Sequence, residues 1–229
     1  MKALVLAGGL GTRLRPRFGD LPKPLAPIGG RPFLERQLAS LAGHGVRRAV
    51  ILAGHGAEAL RAELGTRAAG VELEWSVEDR PLGTAGALRL AAPYVDGRVW
   101  VMNGDTLAEG DPWALERDRW ERGLLGAVAL YQVDDARDRG RVETDAGGRV
   151  TRFVEKDEGW RGPAWVNGGV YAFHPALWRE LPEGEGSLER DVLPRLAARG
   201  ALHGRRCPGR FWDIGTPEGW ERAEREMAR

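Results

Sequence analysis

The chain has 229 residues, is 42% hydrophobic and 29% charged, and carries a formal net charge of +1. A charge so near neutral, with both signs interspersed, gives no footing for nucleic-acid or anionic-membrane binding, and no apolar run approaches a membrane span. The single cysteine, Cys207, excludes an internal disulfide framework and fits a reducing, cytoplasmic setting, and Met1–Ala7 is too short for the apolar core of a signal peptide.

In chain order, Lys2–Ala7 reads as a buried strand that runs into a glycine-rich turn. Pro32 opens a helix with Phe33, Leu34, Leu38 and Leu41 on one face, ended near Gly43 and Gly45. Strands at Arg48–Ala53, Val71–Ser76 and Val99–Met102 then alternate with helices at Ala57–Leu64 and Ala85–Leu90. This order predicts an α/β fold, a Rossmann-like, mostly parallel mixed sheet with helices on both faces and ligands at the carboxyl ends of its strands. Beyond Gly123 the pattern becomes β-rich, with strands over Leu124–Val133, Arg141–Glu143, Arg149–Glu155 and Val166–Phe173 and a hairpin turn at Asp145–Gly148. Helices are expected at Leu188–Ala198 and Glu218–Met227. With no linker or repeat, residues 1–229 read as one domain of two halves, an alternating α/β half (1–122) and a β-rich half (123–229). Of the tryptophans, Trp75, Trp100 and Trp165 are expected in the core, and Trp113, Trp120, Trp178 and Trp220 against helices.

Residue usage sharpens the reading. Only three of the 34 basic residues are lysine, and there are two asparagines and two glutamines. Such a bias suits a GC-rich genome or a hot habitat. It also makes each retained lysine or amide informative, because arginine would otherwise fill the place.

The first strand leads into Leu6, Ala7, Gly8, Gly9, Leu10, Gly11, Thr12 and Arg13. Three glycines let backbone amides approach an anion, while Thr12 and Arg13 add a hydroxyl and a fork of donors. A dinucleotide-binding motif fits poorly, because its third glycine position holds Leu14 and the second strand ends without an acidic residue; no Walker-type sequence is present. GGLGTRLRP followed by LPKPLAPIGGRPFL resembles the signature of the sugar-1-phosphate nucleotidyltransferases. Within that family, the EDRPLGTAGALRLA stretch looks most like the heptose-1-phosphate guanylyltransferases, with mannose-1-phosphate guanylyltransferases next. Prolines on both sides of Lys23 stiffen its backbone, which suits an ammonium held at a fixed point.

Asn103-Gly104-Asp105-Thr106 ends a buried strand on a carboxylate, which suits magnesium, an ion that takes one or two carboxylates and completes its shell with phosphates and waters. Asp213, between apolar neighbours in FWDIGTPE, is a second candidate, with a helix-capping role as the alternative. The resemblance implies that Asp105 and Asp213 share Mg²⁺, that Lys156 holds the sugar phosphate, and that Glu155 and Asn167, with Gly104, meet the sugar. It also implies that Leu6–Arg13, Glu78, Gly83 and Thr84 contact the nucleotide, and that Arg13, Lys23, Asp105 and Asp213 carry catalysis. The partners implied are a nucleoside triphosphate and a sugar 1-phosphate, serving cell-envelope polysaccharide, with monomer or small homo-oligomer left open.

Glu78 bears on the base. Pyrimidine-using members carry glutamine five residues before the glycine at position 83. A carboxylate only accepts, and guanine offers two adjacent donors, whereas uracil and thymine place carbonyls beside their single donor. A GTP preference follows. The rival readings are a uridylyl- or thymidylyltransferase and, from another class, a non-catalytic nucleotide-sugar sensor. The four histidines lack metal-ligand spacing, and Cys207 has no context for a nucleophile.

Overall fold

Ala3, Val5 and Leu4 of the first strand are all fully buried, with Ala3 and Val5 in one core cluster and Leu4 in another. Successive strand residues point to opposite faces, so a strand buried on both sides needs a layer on each. The computed structural model describes residues 2–136, 139–154 and 160–228, apart from the side chains of Pro112 and Trp113.

The principal elements are β1 (Lys2–Leu6), α1 (Phe33–Gly43), β2 (Arg48–Ala53), α2 (Ala57–Leu64), β3 (Val71–Val77), α3 (Gly83–Leu90), β4 (Val99–Asn103), β5 (Thr106–Ala108) and α4 (Pro112–Glu121). The second half supplies β6 (Gly126–Val133), β7 (Arg141–Thr144), β8 (Val150–Val154), β9 (Ala164–Phe173), α5 (Leu193–Ala198), β10 (Leu202–Arg206), β11 (Phe211–Asp213) and α6 (Pro217–Met227). Among the described residues, ten strands make one mixed sheet. Its parallel centre has the order β3-β2-β1-β4, the arrangement of a Rossmann-like half, and antiparallel β9 joins β6, β7, β8 and β10 to β4.

One face of this sheet packs on α1 and α2 through Leu34, Leu38 and Leu60, and the other on α3 and α5 through Leu88, Leu193 and Leu196. A third, smaller cluster is set apart. Leu14, Ile28 and Phe33 meet Trp212, Ile214 and Trp220, which ties the loop after β1 to β11 and α6. Thr106 pairs with Asp213 in the two-stranded β5–β11 ladder, so the same packing that buries Trp212 and Ile214 brings Asp213 to the end of β4.

The expected elements are present with small shifts. Leu188–Ala198 divides into a wide helical turn, Leu188–Val192, and α5. Four of these elements lie outside the sequence reading: the paired strands β5 and β11, helix α4 and strand β10. The buried side of α4 includes Glu116 and Arg119, paired at 2.7 Å, beside Ala114 and Leu115. Its apolar periodicity is therefore masked by a buried ion pair. The polar segment LHGRR of β10 is a strand because it pairs in parallel with β6. Trp120 departs from its expected packing: it is 60% exposed, with the Arg98 guanidinium 4.6 Å from its ring centre.

Candidate active site

β1 and β4 are parallel neighbours in register from Lys2↔Val99 to Leu6↔Asn103, so their carboxyl ends open side by side. The loop from Ala7 leaves β1 there, and Gly104 donates its N–H to Leu6 O at 2.8 Å, holding the Asn103–Thr106 turn against it. Two clefts meet at this point. The first, about 290 Å³, is lined by Leu6, Ala7, Gly8, Gly9 and Leu10, by Lys23, by Glu78, Gly83 and Thr84, and by Asn103, Gly104 and Asp105. The second, about 420 Å³, is lined by Arg13, Asn103, Asp105, Arg139, Asn167, Glu189, Phe211 and Asp213. Asn103 and Asp105 belong to both.

Lys23 Nζ donates to Asp105 Oδ2 at 2.9 Å, and the lysine is largely buried. Asp105 O accepts from Ile214 N at 2.9 Å, and Gly215 N donates to Asp213 Oδ1 at 2.7 Å. A side-chain carbon at Gly215 would lie 2.8 Å from Asp213 Oδ1 and 3.5 Å from both Asp105 Oδ2 and an Arg13 guanidinium nitrogen. Those three groups therefore converge around one point. Burial, followed by the charge of Asp105, holds the Asp213 carboxyl above the usual carboxylate range; Arg139, the Gly215 N–H and Lys23 oppose the shift. Two carboxylates crowded this way favour a cation between them. Among the described residues no group of three or more His, Cys, Asp or Glu is placed to hold a metal. Two carboxylates beside an open cleft fit magnesium, which binds few protein ligands, better than an ion that needs a full protein cage.

Glu78 follows β3 and is half-buried, not a freely solvated strand-end acid. Its Oε2 accepts from Leu82 N at 3.1 Å, and a side-chain carbon at Gly8 would stand 3.0 Å from its Oε1. Burial raises its pKa, against the lowering effect of the Leu82 N–H. The acid is thus a wall of the first cleft beside the glycine loop. Gly83 adopts φ +68° at the start of α3, and a side-chain carbon there would collide with Gly186 O. Gly186 O instead accepts from Ala85 N at 2.9 Å. Thr84 lines the first cleft, yet its hydroxyl is already engaged, donating to Glu189 Oε2 at 2.7 Å and accepting from Leu188 N at 2.7 Å. Its present bonds tie the two halves of the chain together.

Asn167 reaches the second cleft from β9. Its Nδ2 donates to Tyr171 Oη at 2.7 Å and its Oδ1 accepts from Gly169 N at 3.0 Å. Gly169, at φ +67°, sits where the β9–β6 register shifts, and a side-chain carbon there would stand 3.0 Å from Asn103 Nδ2. The irregularity lets Asn167 and Asn103 share one cleft. Thr12 is exposed and lies outside both clefts, Gly11 packs near Lys23, and Glu155 and Lys156 fall outside the described residues.

Three residues were not singled out in the sequence. Gln37, fully buried on α1, donates from Nε2 to Asn103 O at 2.9 Å and also to Thr106 O. A lone amide among Phe33, Leu34, Leu38 and Leu41, in a chain with two glutamines, was its available signal. Arg139 and Glu189 had none, because arginine and glutamate are common throughout. Away from the site, burial pushes the Cys207 thiol up, as expected of an unreactive cysteine. Among the described residues no helix is long and apolar enough to cross a membrane.

The chain is 34% identical over 225 residues to the mannose-1-phosphate guanyltransferase of Aspergillus fumigatus, covering 95% of this chain and 62% of that protein. It is 35% identical over 233 residues to the mannose-1-phosphate guanylyltransferase of Mycobacterium tuberculosis, covering 99% of this chain and 64% of that one. The chain thus spans less than two thirds of the length of these relatives. Its fold matches the crystal structure of HddC from Yersinia pseudotuberculosis complexed with GMP-PN, at a TM-score of 0.84 and 30% identity over 98% of both chains. The family model for nucleotidyl transferases matches residues 2–229. With the glycine loop, the lysine and the aspartate pair gathered at the ends of β1 and β4, the chain belongs to the nucleotidyl transferase family.

Proposed function

We propose that this chain transfers GMP from GTP to a sugar 1-phosphate of the mannose or heptose type, forming a nucleotide-sugar and pyrophosphate. One observation supports this reading above the others: two clefts of different character meet at Asp105, with Asp213 beside it and Lys23 bonded to it. The first cleft offers backbone amides, an ammonium and Glu78, a set suited to a triphosphate and its base. The second offers Arg13, Arg139 and Asn167, suited to a phosphorylated sugar.

In the proposed reaction a phosphate oxygen of the sugar 1-phosphate attacks the α-phosphorus of the triphosphate. The bond from that phosphorus to the α,β-bridging oxygen breaks, and pyrophosphate leaves with the electron pair. Magnesium bound by Asp105 and Asp213 would supply charge neutralisation at the phosphates. Lys23 neutralises charge on the triphosphate side, Arg13 does so where the clefts join, and the glycine loop fixes the triphosphate in line. The attacking phosphate is already ionised, so the residues need take no proton from it.

Glu78 is the support for guanine. Half-buried and accepting, it matches the paired N1–H and N2–H donors and repels a pyrimidine carbonyl. The names of the relatives above agree with this choice. The test is pyrophosphate release with GTP, UTP, dTTP, CTP and ATP against a panel of sugar 1-phosphates, with and without chelator. Turnover with GTP and a manno-configured sugar, abolished by chelator, is the expected result. Turnover with UTP or dTTP alone would overturn the role of Glu78, and none with any pair would favour a sensor.

A further inference from the structure

Besides Arg13, whose guanidinium converges on the aspartate pair, two cations contact it directly, one from each cleft. Lys23, from the nucleotide side, bonds Asp105 at 2.9 Å. Arg139, from the sugar side, faces Asp213 with Nη1 3.4 Å from Oδ2. The two contacts differ in kind. The lysine contact has the length of a close charge-assisted bond, about 2.7–2.9 Å, whereas the arginine contact is loose. Arg139 has a second hold: its guanidinium lies over the Phe211 ring, 5.0 Å from the centroid, and Phe211 is on the same strand as Asp213. It lines the second cleft together with Arg13, Asp105 and Asn167.

We propose that Arg139 is a substrate-binding residue that changes partner. Without ligands it neutralises Asp213, and when a divalent cation takes that carboxylate it binds the phosphate of the sugar 1-phosphate. This rests on the function proposed above. Three physical points carry it. Crowded carboxylates are costly unless a cation compensates them, so Asp213 needs a counterion before the metal arrives. A guanidinium presents a planar fork that matches phosphate, and it is less strongly hydrated than an ammonium, so it gives up one anion for another at small cost. The Phe211 ring holds the guanidinium plane at the cleft throughout, so the exchange needs no large movement.

The exchange predicts opposite effects on two ligands. In Arg139→Met, KM for the sugar 1-phosphate should rise about ten- to a hundredfold, the loss expected for a charge-assisted bond, while KM for GTP moves far less. In the same variant without substrates, Mn²⁺ should bind several-fold more tightly than to the wild type, because the competing cation is gone. Titration calorimetry or Mn²⁺ paramagnetic resonance reads this without turnover. Arg139→Lys, which keeps a cation without the fork, should bind Mn²⁺ as weakly as the wild type and recover only part of the sugar-phosphate affinity. If Arg139→Met bound Mn²⁺ no tighter, or raised both KM values alike, Arg139 would be structural and the proposal wrong. The function can fail separately: a wild type inactive with every pair, binding Mn²⁺ no better than Asp213→Asn, overturns the nucleotidyl-transfer reading itself.

Discussion

Gln37 and Asn103 are joined by a 2.9 Å bond from the amide nitrogen of a fully buried side chain to the last carbonyl of β4. The same nitrogen reaches Thr106 O, so one amide on α1 grips the backbone on both sides of Gly104-Asp105. Its Oε1 has no partner among the described residues. A buried acceptor left open is tolerated where the two donated bonds position something of value.

Gln37→Met keeps the volume and removes both donors. An orphaned buried carbonyl costs about 1–3 kcal/mol, and denaturant unfolding should show a loss of that order. With Asp105 less firmly placed, kcat should fall by a larger factor than KM rises for either substrate. Equal loss in a Gln37→Met and a distant core variant of matched stability would show that the amide serves folding alone.

Burial of Asp213 beside Asp105 costs stability once its carboxyl is ionised. Its folded-state pKa lies above the ordinary aspartate value, so the native protein holds that proton more tightly than the unfolded chain does. No penalty exists well below the ordinary aspartate pKa, and it grows as pH rises through the folded value. Asp213→Asn should therefore melt at a higher temperature than the wild type near pH 7, with the gap closing toward pH 4. Turnover should be lost. Melting curves across that pH range, with magnesium raising only the wild type, check both halves.

Glu78→Gln tests the base. An amide presents a donor as well as an acceptor, so the ratio of kcat/KM for GTP over UTP should fall about 5- to 150-fold, the equivalent of one mispaired buried polar group. An unchanged ratio would remove Glu78 from base selection.

Gly83→Ala should destabilise by about 1–3 kcal/mol from its left-handed backbone alone, with more added by collision with Gly186 O. Chemical denaturation measures it. Because Gly83 lines the first cleft, KM for GTP should rise in the variant even under conditions where it stays fully folded.

The parallel centre was legible because β1, β2 and β4 are continuous apolar runs and α1 shows a clear apolar face. Helix α4 was not, since Glu116 and Arg119 satisfy each other in its buried face and erase the period. The site was legible where residue type was rare: Lys23, Asn103 and Asn167 stand out in a chain that uses few lysines and amides. Arg139 was hidden by abundance, and its place beside Asp213 goes with a bond from Arg139 N to Ala136 O at 3.1 Å and with a pairing of β5 with β11 that no local pattern announces. The commitment of the Thr84 hydroxyl to Leu188 and Glu189 was invisible for the same reason: the partners are more than a hundred residues apart.

That long-range tie has a consequence for how the protein is made. Gly186 and Leu188 close onto the start of α3, and Asp213 comes to Asp105 only through β11. A nascent chain that had emerged only as far as Asp105 would carry the residues that line the first cleft, but neither the Gly186–Leu188 brace on α3 nor the aspartate pair. The junction of the two clefts should thus be completed late in synthesis, when β11 docks against β5.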